Sequence, residues 1–301
     1  MHIELPAVTT INAPKDGPTV AILGGVHGDE YEGVIAATTL ARSLQSELIS
    51  GRIRIASPAH PAAWKSGTRE SPIDGANLAR IFPGSTGGSA TEQVASALTE
   101  QVIRGADLLI DLHSAGTNFE MPFLCGFHGG PHRWTADSQR LANIFGADFT
   151  WRHDGTPAAG RSLTVAYDFK IPAIYVEGHG GRSIRHSDLQ GYLDGVRRLL
   201  HELNMLTTTP SLATKSIRVC GEGNTDKGVT APAAGFLVTR VEAGERVFSN
   251  DLIAEIIDGS GNVISKLHAA HDSYIMLRRR DAQVFLGDTV FIMAIKDDDF
   301  Q

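Results

Sequence analysis

The first two thirds of the chain alternate between apolar runs and segments in which apolar residues recur at helical spacing. Apolar runs that end in glycine turns predict strands at 19–23, 105–116 and 171–181, and strict alternation predicts another at 51–56. Helical spacing predicts helices at 34–48, 91–104, 134–145, 162–169 and 188–204. Because strands that alternate with helices form a mostly parallel sheet, the pattern predicts an α/β fold.

One long segment, 57–91, has little periodicity and is dense in Pro, Gly, Ser and Asp. A loop of this length in a compact domain is usually functional or disordered. Apolar side chains such as Trp64 anchor the segment, and Arg69, Asn77 and Arg80 give it polar tips. These residues favour a binding loop over a disordered one.

The pattern changes after a polar linker at 207–211. Short β-rich runs separated by turns follow, among them 236–239, 252–257 and 289–293. We therefore predict two domains, an α/β domain at 1–206 and a small all-β domain at 215–301. Two stretches of the second domain, 247–253 and 284–290, look alike, which predicts a barrel-like sandwich built from two related halves.

Composition narrows the classes of function that the chain can serve. With 301 residues, 42% of them hydrophobic, the chain can bury a substantial core. A net charge of -7 without long like-charge blocks argues against nucleic acid or an acidic membrane as a partner. Cys125 and Cys220 lack CxxC spacing, so we expect neither a disulfide framework nor a thiolate zinc site. We also find no secretory signal pattern and no membrane-spanning apolar run, and we expect a cytoplasmic protein.

Candidate metal ligands stand at the ends of two predicted strands. His27 and Glu30 lie three residues apart in the glycine-rich turn 24–33, and His113 ends the strand within 105–116. The His-x-x-Glu pattern alone is short, and a surface turn is its ordinary explanation. Ligands in open α/β sheets bind outside the carboxyl ends of strands, so two such ends favour a metal. Zinc accepts nitrogen and oxygen ligands, and a catalytic zinc keeps three protein ligands and one open position.

A third strand of the same kind ends in Glu177, followed directly by a glycine turn. A carboxylate beside a zinc site can take a proton from water and later deliver it to a leaving amine. The alternative is an ordinary surface glutamate. Its place at a strand end, aimed at the same rim, favours the proton-transfer role.

Taken together, the motifs resemble the succinylglutamate desuccinylase and aspartoacylase family, a branch of the zinc carboxypeptidase clan. The resemblance covers nearly the whole chain and rests on Gly-Gly-x-His-Gly-x-Glu at 24–30, the loop at 69–84, Asp-Leu-His at 111–113, Val-Glu-Gly at 176–178 and the β-rich C-terminal domain. It implies a three-layer α/β/α zinc-carboxypeptidase-like domain with a mostly parallel mixed sheet and a β appendage near the active-site mouth. It also implies one Zn²⁺ per chain at His27, Glu30 and His113, with Glu177 as general base and acid.

The resemblance further assigns the arginines of the loop. Arg69 matches the arginine that stabilises the oxyanion, and Arg80 matches the arginine that grips a substrate carboxylate. The usual Asn-Arg pair of the family is Ala79-Arg80 here, and whether Asn77 replaces the missing amide in binding substrate stays open. Arg161 resembles a further anion-binding arginine, with a salt bridge at a helix start as the alternative.

Several polar positions keep two interpretations each. Tyr274 lies where the family offers a tyrosine to the substrate, but a tyrosine in the core of the β domain is the alternative. Asp111 either orients a ligand histidine or caps its strand end. The loop histidines are expected to be polar residues of the rim rather than further metal ligands: His128, His132, His153 and His179.

The main functional hypothesis is zinc-dependent hydrolysis of the amide bond of a small N-acyl amino acid or related acylated amine. A metallocarboxypeptidase acting on a peptide C-terminus is one alternative, which an open groove would favour over a deep pocket. A non-catalytic ligand-binding relative is the other. The expected partner is a small-molecule N-acyl substrate, and a homo-oligomer is the default expectation for association.

Overall fold

The computed structural model describes residues 3–155, 157–208, 210–213, 215–223 and 227–298. Residues 1–2, Thr209 of the predicted linker and the last three residues of the predicted β domain lie outside the described part. Six α-helices are seen in it: α1 (Tyr31–Ser43), α2 (Pro61–Ser66), α3 (Ala90–Leu98), α4 (Arg133–Phe145), α5 (Ser162–Asp168) and α6 (His186–Glu202). A 3-10 turn covers Leu78–Arg80, and a π turn covers Thr99–Ile103.

Strands make up the rest of the regular structure. Those of the first two thirds are β1 (Val8–Asn12), β2 (Lys15–Gly24), β3 (Ser50–Ala56), β4 (Leu108–Ser114), β5 (Phe119–Glu120), β6 (Leu124–His128), β7 (Phe149–His153) and β8 (Ala173–Gly178). Those of the last third are β9 (Ile217–Cys220), β10 (Val229–Thr230), β11 (Gly235–Thr239), β12 (Arg246–Val247), β13 (Leu252–Ile257), β14 (Val263–His268), β15 (Ser273–Arg279), β16 (Gln283–Val284) and β17 (Thr289–Lys296).

The central sheet is mixed and mostly parallel, with the order β1-β3-β2-β4-β8-β6-β7-β9. Strands β3, β2, β4 and β8 pair parallel in turn, whereas β1 lies antiparallel to β3 and β6 lies antiparallel to β8. Helices cover both faces, because successive residues of a buried strand point to opposite sides. Ile22 packs in one core cluster with Leu40 and Leu199, and Leu23 packs in another with Leu98. The predicted three-layer α/β/α domain is confirmed.

The C-terminal third is all-β, as predicted, but its strands continue the central sheet. Strand β9 pairs parallel with β7 and antiparallel with β17, which then leads to β15 and β12. A second sheet of four strands has the order β14-β13-β11-β16 and packs on the first through residues such as Ile253, Ile275 and Val290. Strand β9 thus joins the central sheet although it follows the predicted linker, and the division into 1–206 and 215–301 stays a prediction.

The segment 57–91 is not a structureless loop, since it contains α2 and the 3-10 turn. The helix after it begins with a capping box, in which Ser89 Oγ accepts from Glu92 N and Glu92 Oε2 accepts from Ser89 N. None of the helices within the described ranges combines the length and the apolar character needed to cross a membrane.

We expect Ser89→Ala to lower the free energy of unfolding by about 1 kcal/mol, because the first turn of α3 loses a side-chain acceptor. Urea denaturation measures the change as a lower midpoint at unchanged slope. Ser260→Ala, in an exposed turn, serves as the control and should leave the midpoint where it is. Equal midpoints for the two variants would show that the cap contributes little.

Candidate active site

The end of β2 places the first two candidate ligands. Its backbone turns at 25–29, and Glu30 is the N-cap residue of α1, so His27 and Glu30 face the same side of the turn. The turn packs closely on α2: a Cβ at Gly28 would lie 2.0 Å from the carbonyl of Ala63. Only glycine fits this close approach. Gly28 therefore allows the turn that carries His27 and Glu30 to pack directly against α2.

Two neighbouring strands bring in the other residues. Strand β4 pairs parallel with β2, and β8 pairs parallel with β4, in a register that sets His113 opposite Glu177. All of these strands end at the same edge of the sheet, where α/β folds bind their ligands. The three strand ends predicted to meet do meet.

Three ligand atoms converge at this edge. One atom each from His27, Glu30 and His113 lies within 4.8 Å of the others, and among the described residues this is the one group of three or more such side chains that could hold a metal ion. The Nδ1 atoms of His27 and His113 lie 2.7 and 2.8 Å from the two carboxylate oxygens of Glu30. All three residues are buried. Two imidazole nitrogens and a carboxylate form a donor set that fits zinc.

The electrostatics of the group also suit a cation. Burial acts to raise the pKa of Glu30, but the attraction and hydrogen bonds of His27 and His113 outweigh it and hold the pKa well below its ordinary value. Burial lowers the pKa of His27. For His113 burial acts in the same direction, but Asp111 and Glu30 outweigh it and raise the pKa well above its ordinary value. An ionised Glu30 between the two imidazoles therefore attracts positive charge.

Glu177 stands beside this group with a free oxygen. Its Oε2 is buried and has no hydrogen-bond partner among the described residues. Burial and the nearby charge of Glu30 raise the pKa of Glu177 to about 8. A carboxyl group whose pKa lies near neutrality is suited to accept and return a proton.

Basic side chains flank the group. Arg69 donates from Nη1 to Glu30 Oε1 at 3.0 Å. Arg80 and Arg161 come together because Gly160, at φ +80°, packs on the backbone of Arg80, where a Cβ would lie 2.0 Å from the carbonyl oxygen. Arg161 is the N-cap residue of α5 and lines the cavity described below, and anion binding by Arg161 stays a prediction.

A cavity of about 360 Å³ lies over these groups. The candidate ligands, Glu177 and the three arginines are among the residues that line it. Apolar and aromatic residues also line it: Phe119, Met121, Trp151, Leu277 and Ile292. Since Leu277 belongs to β15 and Ile292 to β17, the C-terminal strands supply part of the wall. The predicted β appendage near the mouth corresponds to these strands.

The remaining candidate residues divide between the cavity and its surroundings. Asn77 lies against His27, with Oδ1 3.1 Å from Nε2. Asp111 lies beside His113, with Oδ1 3.1 Å from Nε2, within ion-pair distance but without hydrogen-bond geometry, and whether it orients the histidine or caps its strand stays a prediction. Tyr274 packs edge-on against Phe149 with ring centroids 5.6 Å apart, away from the cavity lining, so its contact with substrate remains a prediction.

Two of the four loop histidines line the cavity and two do not. His128 and His153 line the cavity, whereas His179 lies 2.7 Å from Glu120 and His132 stacks on Trp134. His153 is hydrogen-bonded to the hydroxyl of Tyr175 at 2.6 Å. Trp151, Tyr175 and Ser162 also line the cavity, and the sequence analysis missed all three. The aromatic residues at 149–153 carried a strand signal that alternation with polar residues could have revealed.

The comparisons with known proteins agree with this geometry. Residues 16–203 match the succinylglutamate desuccinylase/aspartoacylase catalytic domain. An N-alpha-acetyl-L-2,4-diaminobutyric acid deacetylase from Halomonas elongata is 29% identical over 289 residues, which cover 95% of this chain and 84% of that protein.

Two solved structures share the fold over nearly the whole chain. A succinylglutamate desuccinylase from Silicibacter sp. TM1040 aligns with a TM-score of 0.90 at 22% identity, covering 97% of this chain and 89% of the other. The product-bound ectoine utilization protein EutE (DoeB) from Ruegeria pomeroyi aligns with a TM-score of 0.89 at 24% identity, covering 97% and 93%. The catalytic-domain match spans more than half of the chain, and we conclude that the protein belongs to the succinylglutamate desuccinylase/aspartoacylase family.

Proposed function

We propose that the protein is a zinc-dependent hydrolase that cleaves the amide bond of a small N-acyl amino acid or related acylated amine. The observation that carries the proposal is the meeting of His27, Glu30 and His113 beside Glu177, whose Oε2 has no hydrogen-bond partner in the described part of the chain. The deacetylase from Halomonas elongata adds support, because its substrate is an N-acetylated amino acid. The products are a carboxylate and a free amine.

The residues take distinct roles in this reaction. His27, Glu30 and His113 would hold one zinc ion, which when bound acts as a Lewis acid and lowers the pKa of water toward about 7. Glu177 accepts a proton as the water oxygen attacks the acyl carbon, and it returns that proton to the amine nitrogen as the C–N bond breaks. Arg69 stabilises the negative charge that develops on the carbonyl oxygen.

Substrate binding falls to the other two arginines. Arg80 and Arg161 line the cavity, and a guanidinium group is suited to bind the carboxylate of an acylated amino acid. A cavity of about 360 Å³ is at the small end of ligand pockets, which favours a small substrate over a peptide C-terminus. A cytoplasmic location and a homo-oligomeric state remain predictions from the sequence.

The proposal is tested by measuring zinc content and activity on the purified protein. A panel of N-acetyl and N-succinyl amino acids that includes N-α-acetyl-2,4-diaminobutyrate is scored for released primary amine. We expect turnover of at least one member, loss of turnover after treatment with a chelator, and recovery on addition of Zn²⁺. Turnover that survives complete removal of the metal, or a protein that binds zinc but hydrolyses no acylated amine, would contradict the proposal.

A further inference from the structure

The strands that wall the cavity have a second face behind it. Phe119 and Met121 line the cavity, and so does Leu277. Successive residues of a strand point to opposite sides, so Glu120 and Arg278 point away from the cavity. These two residues lie directly opposite each other where β5 pairs antiparallel with β15, and both line a separate recess. Their side chains therefore meet behind the cavity wall.

The carboxylate of Glu120 bridges two basic side chains. Its Oε2 accepts from Arg278 Nε at 2.5 Å, and its Oε1 lies 2.7 Å from His179 Nε2. Arg278 also donates from Nη1 to Thr239 Oγ1 at 3.2 Å. The side chains of Glu120, His179 and Arg278 are 11%, 14% and 18% exposed. Water screens partly buried pairs much less than exposed ones, so these contacts can hold their strands in place.

His179 connects this bridge to the reaction centre. It follows Glu177 by two residues, and its carbonyl oxygen accepts from Met121 N at 3.3 Å. One residue pair further along, the guanidinium of Arg280 packs on Gly181, where a Cβ would lie 1.3 Å from Nη1. The segment that follows Glu177 therefore rests on the strands that form the cavity wall.

The electrostatics of the bridge favour an ionised Glu120. Burial acts to raise its pKa, but the hydrogen bond of His179 and the charge and hydrogen bond of Arg278 outweigh it and hold the pKa below its ordinary value. Arg278 also contacts Glu242, which is exposed, at 2.7 Å from Nη2. An exposed partner contributes little, so removal of the Glu120 charge leaves the guanidinium of Arg278 poorly compensated. The wall then loses the contact that fixes it to the segment after Glu177.

We propose that Glu120 is a positioning residue, which holds the wall formed by Phe119, Met121 and Leu277 at a fixed distance from Glu177 and thereby sets the size of substrate that fits. The inference rests on the proposed function. Glu120 acts through its neighbours, because it faces away from the cavity while the residues on either side face into it. Since the wall is apolar, the substrate group that it limits is an apolar part of the acyl or the amine component.

The test is the substrate selectivity of the full chain, measured as kcat/KM over two homologous series. The acyl group of the best substrate of the panel, and separately its side chain, are lengthened by one methylene at a time. An apolar pocket distinguishes such neighbours by about 10- to 200-fold, and we expect the unaltered protein to show a step of this size in one series. Glu120→Ala should reduce the step to less than about tenfold, because a wall that can move admits the longer chain. KM for the preferred substrate should rise, with a smaller change in kcat.

Arg278→Ala removes the other half of the same contact. Because both variants break one connection, the double variant should show about the same selectivity as either single variant. Glu120→Gln keeps the size of the side chain without its charge and should change selectivity in the same direction. It decides the matter if the alanine variants fail to fold.

Asp297 provides the matched control. It is a buried carboxylate that accepts from Arg152 Nε at 2.7 Å and from Nη2 at 3.1 Å, and it joins the end of β17 to β7. Asp297→Ala removes a comparable ion pair between the last third of the chain and an earlier strand, but it should leave the selectivity step and KM unchanged. If it flattens the step as much as Glu120→Ala does, the effect is general loosening and the inference is wrong.

The remaining outcomes separate this inference from the proposed function. Glu120 variants that fold and keep the selectivity of the unaltered chain would overturn the inference and leave the proposed function standing. An active unaltered protein that shows no step in either series would do the same. If the unaltered protein hydrolyses no acylated amine, both fall.

Discussion

Glu177→Gln is expected to lower kcat by about 10²- to 10⁴-fold while the protein keeps its zinc, because glutamine has the shape of glutamate but cannot accept the proton. Glu177 is buried, its Oε2 has no partner among the described residues, and it lines the cavity beside the candidate ligands. Steady-state kinetics on the best substrate of the panel, together with metal analysis of the same sample, measures the effect.

Glu222→Gln is the control for this variant. Glu222 lines the same cavity, but it is half exposed and paired with Lys227 at 2.8 Å, so it has no free buried oxygen to offer as a base. We expect its kcat to change by less than about tenfold, well below the range for a general base. Full activity in Glu177→Gln would remove Glu177 from the mechanism. Loss of zinc together with activity would instead make it a structural partner of the metal site.

Arg69→Ala is expected to lower kcat by about 10²- to 10³-fold with a smaller change in KM, since the guanidinium acts on charge that appears only in the transition state. The side chain reaches the site, where it donates to Glu30 Oε1 at 3.0 Å. Initial rates over a range of substrate concentrations separate the two parameters, and zinc analysis shows whether the loss of this contact has disturbed the ligands.

Arg80→Ala is expected to have a different kinetic effect from Arg69→Ala. Arg80 lines the cavity and is proposed to hold a carboxylate that is present in substrate and transition state alike, so its removal should mainly raise KM. The two arginines are separated by this pattern. An unchanged kcat and a raised KM in Arg69→Ala would move Arg69 from the oxyanion to substrate binding.

The strand ends that form the site could be predicted because their signals are local. Strands β2, β4 and β8 are apolar runs that end in polar side chains, and buried parallel strands have this composition. Their parallel pairing then brings His27, His113 and Glu177 to one edge without any further information. The motifs that carry the family resemblance lie at these same strand ends, and the match of residues 16–203 confirms the family.

What the sequence could not reveal depends on contacts between distant segments. Strands β6 and β7 are five residues long and mix aromatic, polar and charged side chains, so their apolar signal is weak. The antiparallel direction of β6 is determined by tertiary pairing, which local spacing does not encode. The hydrogen bond from Ser162 to Asp111 joins residues 51 positions apart, and neither residue type points to the other.

The continuity of the sheet from β7 through β9 to β17 and β15 has a consequence for how this enzyme's selectivity can change. Leu277 and Ile292 face the cavity from strands that carry no proposed reacting group. Substitutions there can reshape the space left for an acyl chain while the chemistry stays intact. Selectivity for the acyl group can therefore change through substitutions in the C-terminal strands, while the catalytic motifs stay the same.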